Sequence, residues 1–222
     1  MLSDQAIFLD YSNTITTVES ENAYISGWLD LVAKKYSIND DFHAKFGKMR
    51  LAKLIDREKK FRTFMEINRE VLFELYGLTN ILEEEYYRSH EKNLRLRPDF
   101  IDFIKKARDR FQVVMVTDAD NVYTERTLNA LEITGYFDLI VTAEMVGAPK
   151  PDPRIFNFAL KESHSPSRVV FIGDSERRDI EGAKKMKFLT LKMDDDSTQT
   201  IADRTVHNFD EVMEVINRFN FL

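Results

Sequence analysis

The chain has 222 residues, 43% of them apolar and 32% charged, with a net charge of −6. That is enough apolar material for a sizeable core, but no apolar run approaches the ~18 residues needed to cross a bilayer, and no basic-plus-apolar leader follows Met1, so a cytoplasmic protein without membrane attachment is expected. The absence of cysteine excludes disulfides, thiolate nucleophiles and cysteine zinc sites, and the acidic balance argues against nucleic acid as a partner.

The first apolar run, residues 6–9 (AIFL), is short and near-continuous, as a strand buried on both faces should be. Residues 19–93 contain no such run. Apolar residues there recur at three and four, most clearly from Leu54 through Phe61, Phe64, Ile67 and Val71 to Leu75. The spacing predicts about four helices, with breaks near 37–41, at Gly47 and at 77–79, and places Trp28 in the helical core with Tyr24 and Leu31 on the same face. From residue 98 the texture alternates. Helices are expected at 98–110, 121–134, 152–162 and 176–186, and strands at 113–116 (VVMV), 139–141 (LIV), 169–172 (VVFI) and 188–191 (FLTL). Residues 194–200 (DDDSTQT) read as a loop. This order implies a parallel sheet with helices on its faces. The chain therefore reads as a doubly wound, Rossmann-like α/β core of residues 1–15 and 95–222 carrying an inserted helical cap at 16–94. No G-x-G-x-x-G follows the first strand, which argues against a dinucleotide site.

In open parallel sheets, ligands bind beyond the carboxyl ends of the strands. The first strand ends at Asp10 (FLDYSNT) and the second at Thr117 (VMVTDAD); the fourth ends at Gly173-Asp174-Ser175, with Asp179 five residues past Asp174. Lys150 lies in the turn GAPKPDPRIF. Each of these residues alone has a plain reading as a helix cap. Together they do not, because carboxylates gathered at one sheet edge repel unless a cation compensates, and clustered oxygens suit a hard ion such as Mg²⁺. A divalent ion beside an ammonium group makes a site for phosphate.

The four motifs, in this order, resemble the haloacid dehalogenase-like (HAD) superfamily of aspartyl-phosphate hydrolases. Its most specific part is K-P-x-P-x-I-F followed about twenty residues later by GDS-x-x-x-D-x-x-GA. The resemblance implies Mg²⁺-dependent hydrolysis of a small phosphorylated metabolite by a monomer or homodimer. It makes Asp10 the nucleophile, Thr117 a phosphate-oxygen ligand and Lys150 the charge stabiliser. It places the metal on Asp10, Asp174, the backbone carbonyl of Ser12, and Asp179 as a supporting acid. Asn13 and Thr14, in the turn after Asp10, and Asp118 beside Thr117 would meet the substrate. Arg50 lies in a segment (GKMR) similar to a substrate-holding cap loop, where a guanidinium suits a second phosphate or carboxylate. The added charge of Asp118 and Asp120 works against a phosphate, and one of the two is expected to cap the helix from Asn121. Arg177 and Arg178 are expected on the surface or in ion pairs.

One position departs from the family. Most of its phosphatases read D-x-D, and the second carboxylate handles the leaving-group proton; here that position is Ser12. General acid–base catalysis is worth ~10²–10⁴ in rate, so its loss matters. Three readings stay open: a slow phosphatase that relies on good leaving groups or on a cap acid such as His43, Glu19 or Glu21; a carbon–phosphorus-cleaving variant with a cap lysine, Lys48 or Lys53; and a binding protein without catalysis. The halide-cleaving branch lacks the metal-binding aspartate, so Asp174 argues against it.

Overall fold

A computed structural model describes residues 4–39, 41–196 and 199–218. Strand β1 (Gln5–Leu9) is followed by four helices, α1 (Val18–Tyr36), α2 (Phe42–Asp56), α3 (Phe64–Tyr76) and α4 (Glu83–Asn93). Next come α5 (Phe100–Arg108), β2 (Gln112–Thr117), α6 (Asn121–Ala130), β3 (Leu139–Thr142), α7 (Ala143–Val146) and α8 (Pro153–Glu162). The chain continues through β4 (Arg168–Gly173), α9 (Gly182–Lys185), β5 (Leu189–Met193), β6 (Arg204–Val206) and α10 (Phe209–Arg218). No helix among the described residues is long and apolar enough to cross a membrane.

The strands form one parallel sheet in the order β3-β2-β1-β4-β5-β6. Because successive side chains on a strand point to opposite faces, near-continuous apolar strands serve two cores at once. Ile7, Leu9, Val113, Met115 and Ile172 face one core with α5, α6 and α10. Phe8, Val114, Val116 and Phe171 face the other with α8 and α9. This is the doubly wound Rossmann-like class, with β1 and its neighbour β4 at the centre of the sheet.

Helices α1 to α4 occupy the interval between β1 and α5, and an antiparallel bridge of Thr16 with Leu96 ties the outgoing and returning strands of chain together. Trp28 is fully buried, and its indole N–H reaches the carbonyls of Ile81 and Leu82, both at 3.1 Å. Tyr24 packs against Tyr86 and His90 in the same layer, but Leu31 turns outward and is 45% exposed.

Several boundaries differ from the sequence reading. Gly47 does not break its helix: α2 runs through it, and a Cβ there would meet nothing within 4 Å, so the glycine costs helix propensity and nothing else. The interruption falls instead at residues 57–63. There Thr63 starts α3 with a reciprocal capping box to Glu66. The 121–134 helix ends at Ala130, and Glu176–Glu181 winds as a π-type turn before α9. The edge strand β6, three residues long, and the amphipathic α10 lie beyond the last expected strand. In the expected loop at 194–200, Asp195 pairs with Arg97 at 3.0 Å, while residues 197 and 198 lie outside the described residues.

Candidate active site

Asp10 is the first residue past β1, and its amide donates to the carbonyl of Ile172 on β4 at 2.9 Å, so its backbone is pinned at the centre of the sheet edge. Two groups hold its carboxylate. The Lys150 ammonium lies 2.5 Å from Oδ1, and the Thr14 hydroxyl donates to Oδ2 at 3.0 Å. Lys150 is 1% exposed and also lies 2.6 Å from Oδ1 of Asp179. Burial works against its charge, but Asp10, Asp179 and Asp118 outweigh burial and hold the ammonium protonated.

Asp179 in turn accepts from the Ser175 amide at 2.9 Å. It reaches that position over Gly173, where a Cβ would fall 2.5 Å from its Cγ. A side chain at 173 would push Asp179 off Lys150, so the glycine is a packing requirement of the site. Both oxygens of Asp179 are thus engaged by the chain, which fits a supporting acid. Asp174 is freer, with Asn13 donating to one of its oxygens at 3.4 Å.

Carboxylate oxygens of Asp10, Asp174 and Asp179 lie within 4.8 Å of one another. Against three acids stands one ammonium. The Asp174 carboxyl is pushed up to about 8 by burial first, then by Asp10 and Asp179. Such a set of crowded, hard, partly buried oxygens fits a divalent cation such as magnesium, with Asp10 and Asp174 as the carboxylates available to it.

A pH dependence follows. The raised carboxyl of Asp174 means the folded chain holds a proton that the unfolded chain, at 3.8, has released. Its stability contribution is therefore present below about 4 and lost as pH rises toward about 8. Thermal unfolding of the metal-free protein should fall in midpoint across that window, and magnesium should raise the midpoint more at pH 8 than at pH 5.5. An equal magnesium effect at both values would contradict the acid cluster as its binding site.

Asp10, Ser12, Asn13, Thr117, Asp118, Lys150, Asp174 and Asp179 all line one cavity of about 60 Å³. Thr117 accepts from the Ala119 amide at 3.1 Å, which leaves its hydroxyl proton to donate elsewhere. Asp118 lines the cavity with both carboxylate oxygens committed to the protein. One accepts from the Lys150 amide at 2.7 Å and the other faces Arg178 at 3.5 Å. These bonds offset the negative charge that the sequence reading set against a phosphate.

Two expected substrate residues lie elsewhere. Thr14 is fully buried behind Asp10 and orients the carboxylate; it does not face the cavity. Arg50 lines a separate groove on the helical insertion, donates to Asn68 at 3.0 Å and stacks 5.6 Å over Phe64. Neither Asp118 nor Asp120 makes a side-chain cap to α6. Asp120 instead accepts from the Phe64 amide of α3 at 2.6 Å.

Phe64 and Arg178 line the cavity without having been singled out for it. The T-F-M-E capping box marks the start of α3 in the sequence and could have placed Phe64 at its first turn; Arg178 carries no such signal. Arg177 forms the surface ion pair expected of it, with Glu58, while Arg178 pairs with Asp118 inside the site.

Of the three acids considered as substitutes at position 12, only Glu21 approaches. It accepts from the Thr16 hydroxyl and lies near Ser12, and its carboxyl is pushed up to about 7 by burial first, with Asp10 adding to the rise. Glu19 is exposed, and His43 pairs with Asp30 at 3.1 Å on the outer groove. The candidate Schiff-base lysines also point away. Lys48 is exposed, and Lys53 pairs with Glu70 and Glu74 at 3.3 and 2.6 Å.

A parallel sheet that gathers an aspartate, a lysine and two further acids around one cavity at its carboxyl edge, beneath inserted helices, defines a Rossmann-like hydrolase. The model of the haloacid dehalogenase-like hydrolases matches residues 5–187, and the chain belongs to that family. It superimposes on a putative HAD-hydrolase, YfnB of Bacillus subtilis, solved bound to magnesium, with a TM-score of 0.79 and 21% identity over 96% of this chain and 98% of that one. A HAD phosphatase from Thermococcus onnurineus matches with a TM-score of 0.79 and 24% identity over 96% and 97%. Among curated relatives, the pyrimidine 5'-nucleotidase YjjG of Escherichia coli is 31% identical over 87 residues, 38% of this chain and 39% of that protein. A glyceraldehyde 3-phosphate phosphatase of Pyrococcus furiosus is 26% identical over 125 residues, 53% of this chain and 52% of that protein. The matched stretches thus span from about two-fifths to about half of these two relatives.

Proposed function

We propose that this protein is a magnesium-dependent phosphatase that hydrolyses a small phosphorylated metabolite in the cytoplasm by way of a phosphoryl group carried on Asp10. One observation carries the reading. The carboxylate of Asp10 is held by Lys150 at 2.5 Å and Thr14 at 3.0 Å at the wall of a cavity of about 60 Å³, a volume suited to a phosphoryl group. The names of the curated relatives, which include phosphatases of small metabolites, support the substrate class.

Asp10 attacks phosphorus as the bond to the leaving oxygen breaks, which splits one hard displacement into two easier ones. Lys150 and Arg178 neutralise the phosphoryl oxygens, and the Thr117 hydroxyl donates to one of them. Asp10 and Asp174, with the Ser12 carbonyl, would hold magnesium, which would supply positive charge to the phosphoryl group. Phe64 closes the cavity from the helical insertion and limits water. Ser12 stands in the place of the family's second aspartate, with the raised carboxyl of Glu21 near it: its proton passes to the leaving oxygen and is replaced from Glu21. In the second step water attacks phosphorus, its proton returns along the same pair, and Asp10 is released with inorganic phosphate.

A hydroxyl relay is a weaker acid than a carboxyl in direct contact. Ser12→Asp should therefore raise turnover of alkyl phosphates by roughly 10-fold or more, with little gain on p-nitrophenyl phosphate, whose oxygen leaves unaided. Glu21→Gln should lower alkyl phosphate turnover and spare the aryl ester. Initial rates with magnesium on both substrate classes test this, and equal changes on both would reject the relay. Complete lack of turnover across acyl, aryl and alkyl phosphates would reject the phosphatase itself.

A further inference from the structure

The contact between the helical insertion and the sheet edge is organised by one buried arginine that does not touch the cavity. Arg57, the residue after α2, is 3% exposed. Its Nε donates to the carbonyl of Arg62 at 2.7 Å, and so folds residues 57–62 back on themselves. Its Nη2 crosses to the sheet edge, donates to the carbonyl of Asp118 at 3.0 Å and lies 3.6 Å from the carboxylate of Asp120. The guanidinium plane is covered by Phe61 and Phe64, at 4.9 and 4.4 Å. Asp120 completes the joint by accepting from the Phe64 amide at 2.6 Å, so an aspartate of the core caps a helix of the insertion.

The residues that Arg57 grips belong to the turn that presents Thr117 to the cavity. Asp118 is held by its carbonyl from the insertion and by its carboxylate from the Lys150 amide at 2.7 Å. Between those anchors the Ala119 amide donates to Thr117 at 3.1 Å and sets the direction of its hydroxyl. We infer that Arg57 is a positioning residue for the phosphoryl site, one that fixes the 117–120 turn, and with it the Thr117 donor, only when the insertion is seated on the core.

The chemistry of the side chain supports this. Only a planar fork can reach the loop carbonyl, the turn carbonyl and an acid at once; a lysine can serve one of them. Burial disfavours the charge on Arg57, and Asp118 and Asp120 offset that cost only in part. A buried ion pair of this kind is a poor device for stability alone, since packed apolar residues in place of both partners often serve as well. Its contribution is better sought in geometry. The inference rests on the phosphoryl site proposed above but does not require turnover.

The test uses the full chain with magnesium and two readouts: kcat and KM for p-nitrophenyl phosphate, and the Kd of inorganic phosphate by calorimetry. Arg57→Met fills the same space without the fork. It should lower the thermal midpoint, because buried Asp120 and two carbonyls lose their partner, and in the folded protein it should weaken phosphate binding about tenfold and lower kcat/KM by ten- to a hundredfold. Arg57→Lys should recover little of either. Added guanidinium ion should restore phosphate affinity to Arg57→Ala, which loss of packing alone would not allow. Glu58→Gln, which breaks the neighbouring surface pair with Arg177, should leave both readouts unchanged. If folded Arg57→Met or Arg57→Lys binds phosphate and turns over as the wild type does, the inference falls and the phosphatase reading stands. A wild type that binds phosphate without turnover overturns the phosphatase reading, and the Arg57 series is then judged on Kd. A wild type that neither binds nor turns over overturns both.

Discussion

Asp10→Asn is expected to lower turnover of acetyl phosphate and p-nitrophenyl phosphate by roughly 10⁴-fold or more, the scale seen when a covalent nucleophile is removed. The substitution is nearly isosteric. The asparagine oxygen can still accept from Lys150, and its amide can donate to the Thr14 hydroxyl, which in the wild type donates to the carboxylate at 3.0 Å, so the cavity keeps its shape. What is lost is the anionic oxygen that attacks phosphorus. Two measurements check this: steady-state rates with magnesium, and acid quenching to trap phosphoprotein, which should be labile to hydroxylamine in the wild type and absent from the variant. Substantial residual turnover would mean that phosphate reaches water without passing through Asp10.

Lys150→Met is expected to damage stability as well as turnover. The ammonium is 1% exposed and lies 2.5 Å from Asp10 and 2.6 Å from Asp179. Removing one partner of a buried ion pair leaves the other charge uncompensated, at a cost of about 3–5 kcal/mol. Here two carboxylates lose the same partner, and Asp179 is also the group that braces the turn after β4 through Ser175. Urea unfolding at pH 7.5 should show the loss, magnesium should restore part of it, and the difference from the wild type should shrink on acidification, as the carboxylates take up protons. Turnover should fall by roughly 10²–10³-fold, the usual cost of one preorganised electrostatic donor. A variant as stable as the wild type in the absence of metal would contradict the charge balance described for this cluster.

The five strands that form most of the sheet were readable because strands buried on both faces leave short, unbroken apolar runs such as AIFL and VVFI. The polar residues ending those runs were readable for the same reason, since parallel strands deliver their carboxyl ends to one edge. Asp10, Thr117, Lys150 and Asp174 meet there, although 164 residues separate the first from the last. The β6 strand was not legible, because three residues at a sheet edge leave no run to detect. Gly47 misled as a helix break, since an exposed glycine within a helix costs only about 1 kcal/mol and tertiary packing overrides it.

The division between sequence and structure is sharpest at the seam. Residue types and order determined the sheet, the helical insertion and the acids and lysine at the strand ends, because these depend on local periodicity and on a connection rule. The role of each side chain behind the first row was decided by contacts between distant segments. Thr14 turned inward to Asp10, Arg50 turned to the buried Asn68 of α3, and Glu21 met Thr16. Arg57, unremarkable in the chain, was carried by the packing of α2 and α3 onto the turn at Asp118. Such pairings depend on how two surfaces meet, and a long flexible side chain gives no periodic signal of where its charged end will lie.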